Sequence, residues 1–233
     1  SVDRGDNWRV VSPDLTTNDP TKQRPGVRSV TPENTGAERH CTIITISESP
    51  RRQGLVWVGT DDGQVQVTLD DGVTWTNVTR NIQGLPLNTW CSRVTASKWV
   101  EGRCYATFDG HRANDYKPYV YVTEDYGKTW TSLTGDLPDF DCLYVIREGE
   151  RNPDLLYLGS ELSLRFSLDR GKTWVRYRAQ GWPTVSVHDV QVHPRDLDLI
   201  VGTHGRSIWI IPVAALEQLT PEALSKEFFL CTP

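Results

Sequence analysis

Four carboxylates suited to acid–base work, Asp61, Asp109, Asp141 and Glu161, stand near His40, His111, His188 and His204 in short polar stretches between apolar runs. Asp62, Trp90 and Arg206 share those stretches. Hydrolysis of a glycosidic bond usually takes two carboxyls, ~5 Å apart for retention or ~6.5–9.5 Å for inversion, and these four acids are the candidates for such a pair. The same set also suits a binding surface, because acids, histidines and an aromatic together can hold a sugar or an extended peptide. Both chemistries stay open in the sequence, as does the plainer reading that these are solvated turn residues. Other chemistries lack residues to carry them. There is no GxSxG, no Gly-rich phosphate loop and no CxxC or Cys/His spacing of a zinc site. No metal and no cofactor are expected.

A second set of acids is set apart by repetition. Asp3, Asp70, Asp125 and Asp169 are each the third residue of an octet, Ser/Thr-x-Asp-x-Gly-x-Thr-Trp: SVDRGDNW (with Asn7 for Thr), TLDDGVTW, TEDYGKTW and SLDRGKTW. They recur at intervals of 67, 55 and 44 residues. The shortest interval fits one four-stranded blade of a β-propeller, and the longer ones leave room for inserted loops. In a tight hairpin the Asp accepts backbone N–H bonds of its own turn, and the Gly supplies a positive φ. Trp8, Trp75, Trp130 and Trp174 are expected to fold back as apolar plugs. These aspartates are therefore predicted to build the fold rather than to react.

The flanking sequence supplies the strands. Before each of the last three octets it reads strand, turn, strand, turn, strand: Cys41–Ile46, Leu55–Gly59 and Gln64–Thr68; Cys91–Ala96, Cys104–Phe108 and Tyr119–Thr123; Cys142–Arg147, Leu155–Gly159 and Ser163–Ser167. A last unit has Asp189–Val192, Leu199–Gly202 and Ser207–Ile211 but no octet. The predicted layout is an outer strand of an incomplete blade at 1–11, an insertion at 12–40, blades at 41–80, 81–135 and 136–180, a three-stranded blade at 181–212 and a short-helical tail at 213–233, with Thr220–Pro221 as a helix start. One alternative is that strands from the two ends complete a fourth blade between them. The favoured expectation is that this all-β chain is the C-terminal part of a larger propeller.

That layout puts the octets on one rim, since each joins the third and fourth strands. The turns between second and third strands, and the links between blades, gather on the opposite face around the channel mouth, the usual site in propellers. Asp61, Asp62, the excursion Asp109–Lys117, Glu161, His204 and Arg206 fall there. His40, Trp90, Asp141 and His188 lead into the first strands and are expected at equivalent positions beside the channel. His193, before Pro194, falls on the octet side.

Composition removes several functions. The chain has 233 residues, a net charge of −5 and scattered Lys and Arg, so no nucleic-acid footprint is indicated. No apolar stretch nears the roughly 18 residues that cross a bilayer. Nine Trp, eighteen Gly and fourteen Pro fit short strands and tight turns. Of five cysteines, Cys41, Cys91 and Cys142 are assigned one position of the repeat as small buried hydrophobes. Cys91 and Cys104 flank the turn Ser97–Gly102, and a disulfide across that hairpin is the alternative.

The segments WVGTDDGQVQVTLDDGVTWTNVT, DGHRANDYKPYVYVTEDYGKTW and VHDVQVHPRDLDLIVGTHGRSIWI resemble a bacterial family of sortilin-like BNR/Asp-box proteins, often labelled glycosyl hydrolases. Octets of this kind also occur in sialidases and other glycoside hydrolases. The resemblance runs from Ser1 to about Phe229. It implies an extracytoplasmic protein larger than this chain, whose ring is completed by further blades from the same or another chain. It implies a glycan, peptide or protein ligand, with a glycoside hydrolase as the alternative. A sialidase would add an arginine cluster and a Tyr–Glu nucleophile pair, and Arg206 is the arginine placed on the right face. A xyloglucanase-like enzyme would use paired aspartates in a cleft between two propellers.

Overall fold

Runs rich in Val, Ile, Tyr and Leu, broken by turns bearing Gly, Asp and Pro, pair with their sequence neighbours as antiparallel hairpins. The computed structural model describes residues 1, 3–23 and 40–232, so 24–39 of the predicted insertion lie outside the described residues. The described strands form four sheets. The first blade holds β1 (Ile43–Glu48), β2 (Val56–Thr60), β3 (Val65–Thr68) and β4 (Thr76–Asn77), hydrogen-bonded in that order. The second holds β5 (Trp90–Ala96), β6 (Cys104–Asp109), β7 (Tyr119–Thr123) and β8 (Thr131–Ser132); the third β9 (Leu143–Glu148), β10 (Leu156–Ser160), β11 (Leu164–Ser167) and β12 (Val175–Arg176). The fourth has three strands, β13 (Val187–Val192), β14 (Asp198–Thr203) and β15 (Ile208–Pro212). A 3-10 turn at Leu216–Gln218 and the short helix α1 (Pro221–Leu224) close the tail, with Thr220 Oγ1 accepting from Ala223 N as the cap.

Burial on both faces of a sheet requires a neighbour on each side, and the cores lie at the junctions between blades. Trp57, Val67, Val94 and Phe108 fill the first junction; Tyr105, Leu143, Leu158 and Trp174 the second; Tyr157, Leu164, Val190 and Leu199 the third. The inner strands are stitched by polar side chains: Val94 N and Ala96 N donate to Thr45 Oγ1 and Ser47 Oγ, and Thr95 Oγ1 donates to the Ile146 carbonyl. The two outer faces of the array carry unpartnered apolar residues. Ile46 is 66% exposed on the first blade, and Ile208 and Ile210 are 71% and 66% exposed on the last.

All four octets have the same internal wiring. In the third, Asp125 Oδ1 accepts from Thr129 N (2.9 Å) and Oδ2 from Thr129 Oγ1 (2.7 Å), while Thr123 Oγ1 donates to Asp125 and accepts from Gly127 N. Asp70 and Asp169 make the equivalent bonds, and in the first octet Asn7 Nδ2 replaces the hydroxyl. The residue before each Gly, namely Arg4, Asp71, Tyr126 and Arg170, is left-handed too, with φ near +60°. That strain is held by the bonds on either side of it.

The octets also join blades. Gly127 has φ +84°, and a Cβ there would lie 2.8 Å from Val78, the third residue past Trp75 in the preceding blade. Gly72 abuts Val11, and Gly171 abuts Leu133, at the same offset. Trp75 Nε1 and Trp174 Nε1 donate to the carbonyls of Val11 and Leu133. Arg9–Thr17 therefore stands where the outer edge of a preceding blade belongs, with Leu15 buried against β3 and its carbonyl accepting from Gln66 Nε2. Trp8 is not the plug expected of it. It is 81% exposed, because its octet has no preceding blade among the described residues to pack against.

The Asp125 and Asp169 carboxyls lie below their ordinary value of 3.8: burial opposes the shift, but hydrogen bonds from Thr129 and Thr173 outweigh it. A depressed folded-state value adds stability above the unfolded value and loses it as pH falls through the folded one. The urea midpoint of the wild type should therefore drop as pH goes below about 4, and the D125N/D169N double variant should show a flatter acid limb.

Two expectations about cysteine are corrected. Cys91 and Cys104 are free thiols. Cys91 faces Phe108 and Cys104 faces Ala96 in the ladder, so the two are not opposite each other. Nor do Cys41, Cys91 and Cys142 share one position. Cys91 matches Ile43 and Leu143 in register, whereas Cys41 and Cys142 come two residues and one residue before those.

Candidate functional site

Each inner strand carries a bulge at the same place. The pairing skips one residue between Ile43 and Thr45, Cys91 and Arg93, Leu143 and Val145, and Val187 and Asp189. The skipped residues are Ile44, Ser92, Tyr144 and His188. A bulge re-aims one side chain and increases local twist, and these four line the cavity at the channel mouth. The residue after the second-strand partner of Ile43, Cys91, Leu143 and Val187 is equally regular: Asp61, Asp109, Glu161 and His204 occupy one register position. The N–H groups of Asp61, Glu161 and His204 each bond the carbonyl of the residue before the inner strand.

The expected equivalence of His40, Trp90, Asp141 and His188 does not hold. Counted from the paired residue just before each bulge (Ile43, Cys91, Leu143 and Val187), they fall three before, one before, two before and one after. The links between blades differ in length and conformation, and sequence order alone hid the offsets.

The carboxylates are heavily engaged. Asp61 is buried and its Oδ1 accepts from Thr42 N at 2.7 Å; burial holds its carboxyl above the ordinary range. Asp109 Oδ1 accepts from His111 N (3.0 Å), with Oδ2 2.6 Å from His111 Nδ1 and 3.4 Å from Arg112 Nη1. Asp141 accepts from Ser160 Oγ and Leu162 N and pairs with Arg165 at 3.2 Å. Glu161 is exposed, and accepts from Tyr144 Oη at 2.6 Å and Ser186 Oγ at 3.1 Å. Asp109 thus holds its own loop, Asp61 and Asp141 tie together separate loops, and Glu161 faces solvent beside a tyrosine.

Two groupings result. On the second blade the Arg112 guanidinium lies 4.0 Å over the Trp90 ring while also reaching Asp109. Between the third and fourth blades the Tyr144 and His188 rings stack at 4.3 Å, with His204 5.3 Å beyond. Burial and then His204 keep the His188 imidazole below its ordinary value, so it is neutral at neutral pH. Burial, reinforced by Glu161, raises the Tyr144 phenol. Cys142 is pushed up to about 12 by burial and by Asp109, and is an inert thiol.

A cavity of about 370 Å³ opens beside these groups, lined by His111, Tyr116, Phe140, Asp141, Tyr144, Glu161 and Leu162. Tyr116 and Phe140 stack at 4.7 Å and are exposed. A second cavity of about 260 Å³ is bounded by His40, Asp61, Trp90, Asp109, Arg112 and Asp115. Asp62 is fully buried beneath Thr17 rather than open to the mouth. Arg206 is exposed, and its carbonyl accepts from Trp209 Nε1. Asp70, Asp125 and Asp169 follow β3, β7 and β11, at the far ends of the strands from Asp61, Asp109 and Glu161. His193 accepts from Asp196 N in its own turn.

Sequence reasoning missed Tyr144, Tyr116, Phe140 and Arg112. Tyr144 sits inside a strand, where alternation assigns it to a face; it lies 15 residues before Gly159 whereas His188 lies 14 before Gly202, so aligning the units on their glycines does not bring the two together. Tyr116 and Arg112 belong to the excursion already picked out for its length.

No protein-family model and no curated protein sequence matches the chain. Many solved structures do. The GH74 xyloglucanase of Xanthomonas campestris is 16% identical at a TM-score of 0.57, over 73% of this chain and 28% of its own length. The extracellular domain of a one-component system of B. thetaiotaomicron is 13% identical at 0.55, over 76% of this chain and 22% of its own. YCF48 bound to D1 peptide is 16% identical at 0.52, over 72% of this chain and 50% of its own. The fold is a β-propeller. At these identities the likeness speaks for the fold alone. The chain spans about a quarter of the first two propellers and half of the third, and no described helix is long and apolar enough to cross a membrane.

Proposed function

We propose that the chain is a binding module, an arc of an extracytoplasmic propeller that holds a polar ligand, a peptide or glycan, across its channel mouth. The observation that carries this is the shelf of Tyr116 and Phe140 opening onto Glu161 and His111. Stacked, exposed rings beside hydrogen-bonding groups grip a ligand with both an apolar and a polar side. The extracellular and peptide-bound neighbours are in keeping with it. The exposed Ile46, Ile208 and Ile210 at the two ends of the arc are the faces on which further blades, of the same or another polypeptide, would seat.

One observation favours hydrolysis instead, the 2.6 Å Tyr144–Glu161 contact, since sialidases use a tyrosine nucleophile. Against it, burial raises the Tyr144 phenol, and Asp61, Asp109 and Asp141 already hold backbone N–H groups or cations. Glycan and peptide arrays probed with the full chain test the proposal. Y116A and F140A should each weaken the best ligand about tenfold or more, and D70N should leave affinity unchanged. Turnover of any glycan in a broad panel, lost by orders of magnitude at two of Asp61, Asp109, Asp141 and Glu161, would replace binding with catalysis.

A further inference from the structure

Beside the mouth, where the N-terminal strap crosses the first blade, three residues of different chemistry converge. The candidate ligand atoms of His40, Cys41 and Asp62 all lie within 4.8 Å of one another. His40 Nδ1 is 3.4 Å from Cys41 Sγ. Tetrahedral zinc with Zn–N near 2.0–2.1 Å and Zn–S near 2.3 Å requires an N···S separation of about 3.5 Å. Thr17 Oγ1, 3.7 Å from Cys41 Sγ and 2.7 Å from Asp62 Oδ2, is placed to supply a further oxygen.

Charge supplies an independent argument. Asp61 and Asp62 are adjacent and both buried, and among the described residues neither pairs with a lysine or arginine. Asp62 meets neutral donors, Thr17 N, Thr17 Oγ1 and Thr60 Oγ1. Two buried carboxylates side by side without a cation are costly. A divalent ion held by the Cys41 thiolate, the Asp62 carboxylate and a neutral imidazole makes a net-neutral centre, which cancels the charge of Asp62 and leaves that of Asp61 to its backbone N–H bond from Thr42.

We propose that His40, Cys41 and Asp62 form a binding site for a thiophilic divalent cation of the zinc class. Thiolate and imidazole ligands select against magnesium and calcium, which take all-oxygen shells. The Cys41 S–H bond breaks as the S–metal bond forms, and its proton goes to solvent. The ion clasps three separate pieces of chain: the strap at Thr17, the link into β1 at His40–Cys41 and the β2–β3 turn at Asp62. The motif was invisible to spacing rules because two ligands are adjacent and the third is 21 positions on. This site is independent of the ligand reading of the mouth.

The test is a cobalt titration of the full chain after chelator dialysis, followed by zinc competition. The expected result is a thiolate-to-cobalt charge-transfer band saturating at one equivalent and abolished by zinc. C41S should lose the band, H40A and D62N should weaken binding by about tenfold or more, and C231S should titrate as wild type. Zinc should also raise the melting temperature of the wild type, and less so that of C41S, which is partly exposed and tolerates a hydroxyl. Absence of the band in the wild type, or its persistence in C41S, overturns the proposal whether or not the other variants fold.

Discussion

Trp174→Ala should lower the unfolding free energy by about 3–5 kcal/mol, while Trp8→Ala should change it by no more than about 0.5 kcal/mol. The two tryptophans hold the same octet position, so residue type cannot distinguish them. Environment does. Trp174 is 6% exposed, packs with Tyr105, Leu133 and Leu143, and donates from Nε1 to the Leu133 carbonyl at 2.8 Å. Removing the ring leaves a cavity at a junction between blades and a buried carbonyl without its donor, two losses that add. Trp8 is 81% exposed and folds onto its own Gly5. Urea denaturation of the two variants, with wild-type m-values as the check on cooperativity, measures the contrast. Equal shifts would mean that the octet tryptophan acts within its hairpin and does not join blades. If further blades cover Trp8 in a larger assembly, its substitution should become costly only there.

The fold was legible because it is written four times. A single octet fixes one hairpin, but Asp3, Asp70, Asp125 and Asp169 at blade-like spacing, with three apolar runs before each of the last three, leave little besides radial sheets. The candidate site was legible only in part, because its geometry depends on departures from repetition. Asp61, Asp109, Glu161 and His204 could be gathered by counting turns, and the ladder puts them at one register position. Tyr144 and His188 reach the mouth through bulges, and a bulge is a pairing event between two strands with no mark in either one. Trp90 reaches it as the first residue of β5, which starts earlier than its counterparts, and Asp141 through a link. Whether an acid is free or committed also depends on distant partners: Asp141 is engaged by Ser160, Leu162 and Arg165, 19 to 24 residues away.

Glu217 is the strongest such long-range partner, and it was hidden in a tail read only as short helices. Its carboxylate is 2% exposed. Oε1 accepts from Glu150 N (3.0 Å) and Tyr157 Oη (3.1 Å), and Oε2 from Arg151 N (2.8 Å) and Asn152 N (3.2 Å). One side chain of the 3-10 turn thus satisfies three consecutive N–H groups in the loop between β9 and β10, and pins the tail over the junction of the third and fourth blades. Burial, then Glu217, raises the Tyr157 phenol, as expected of a hydroxyl that must donate. E217Q preserves shape but turns two hydrogens of the amide toward groups that are themselves donors. The expected cost is about 3–5 kcal/mol, since each unmade buried bond costs about 1–3 kcal/mol and bonds to a charged acceptor lie at the upper end. Y157F removes one donor of four and should cost about 1 kcal/mol. E222Q alters only an exposed pair with Lys226 and should leave the midpoint in place. Because Glu150–Asn152 lie on the octet side, E217Q protein that remains folded should bind its ligand as the wild type does. A variant that is both destabilised and deficient in binding would show that the tail and the mouth are coupled through the third blade.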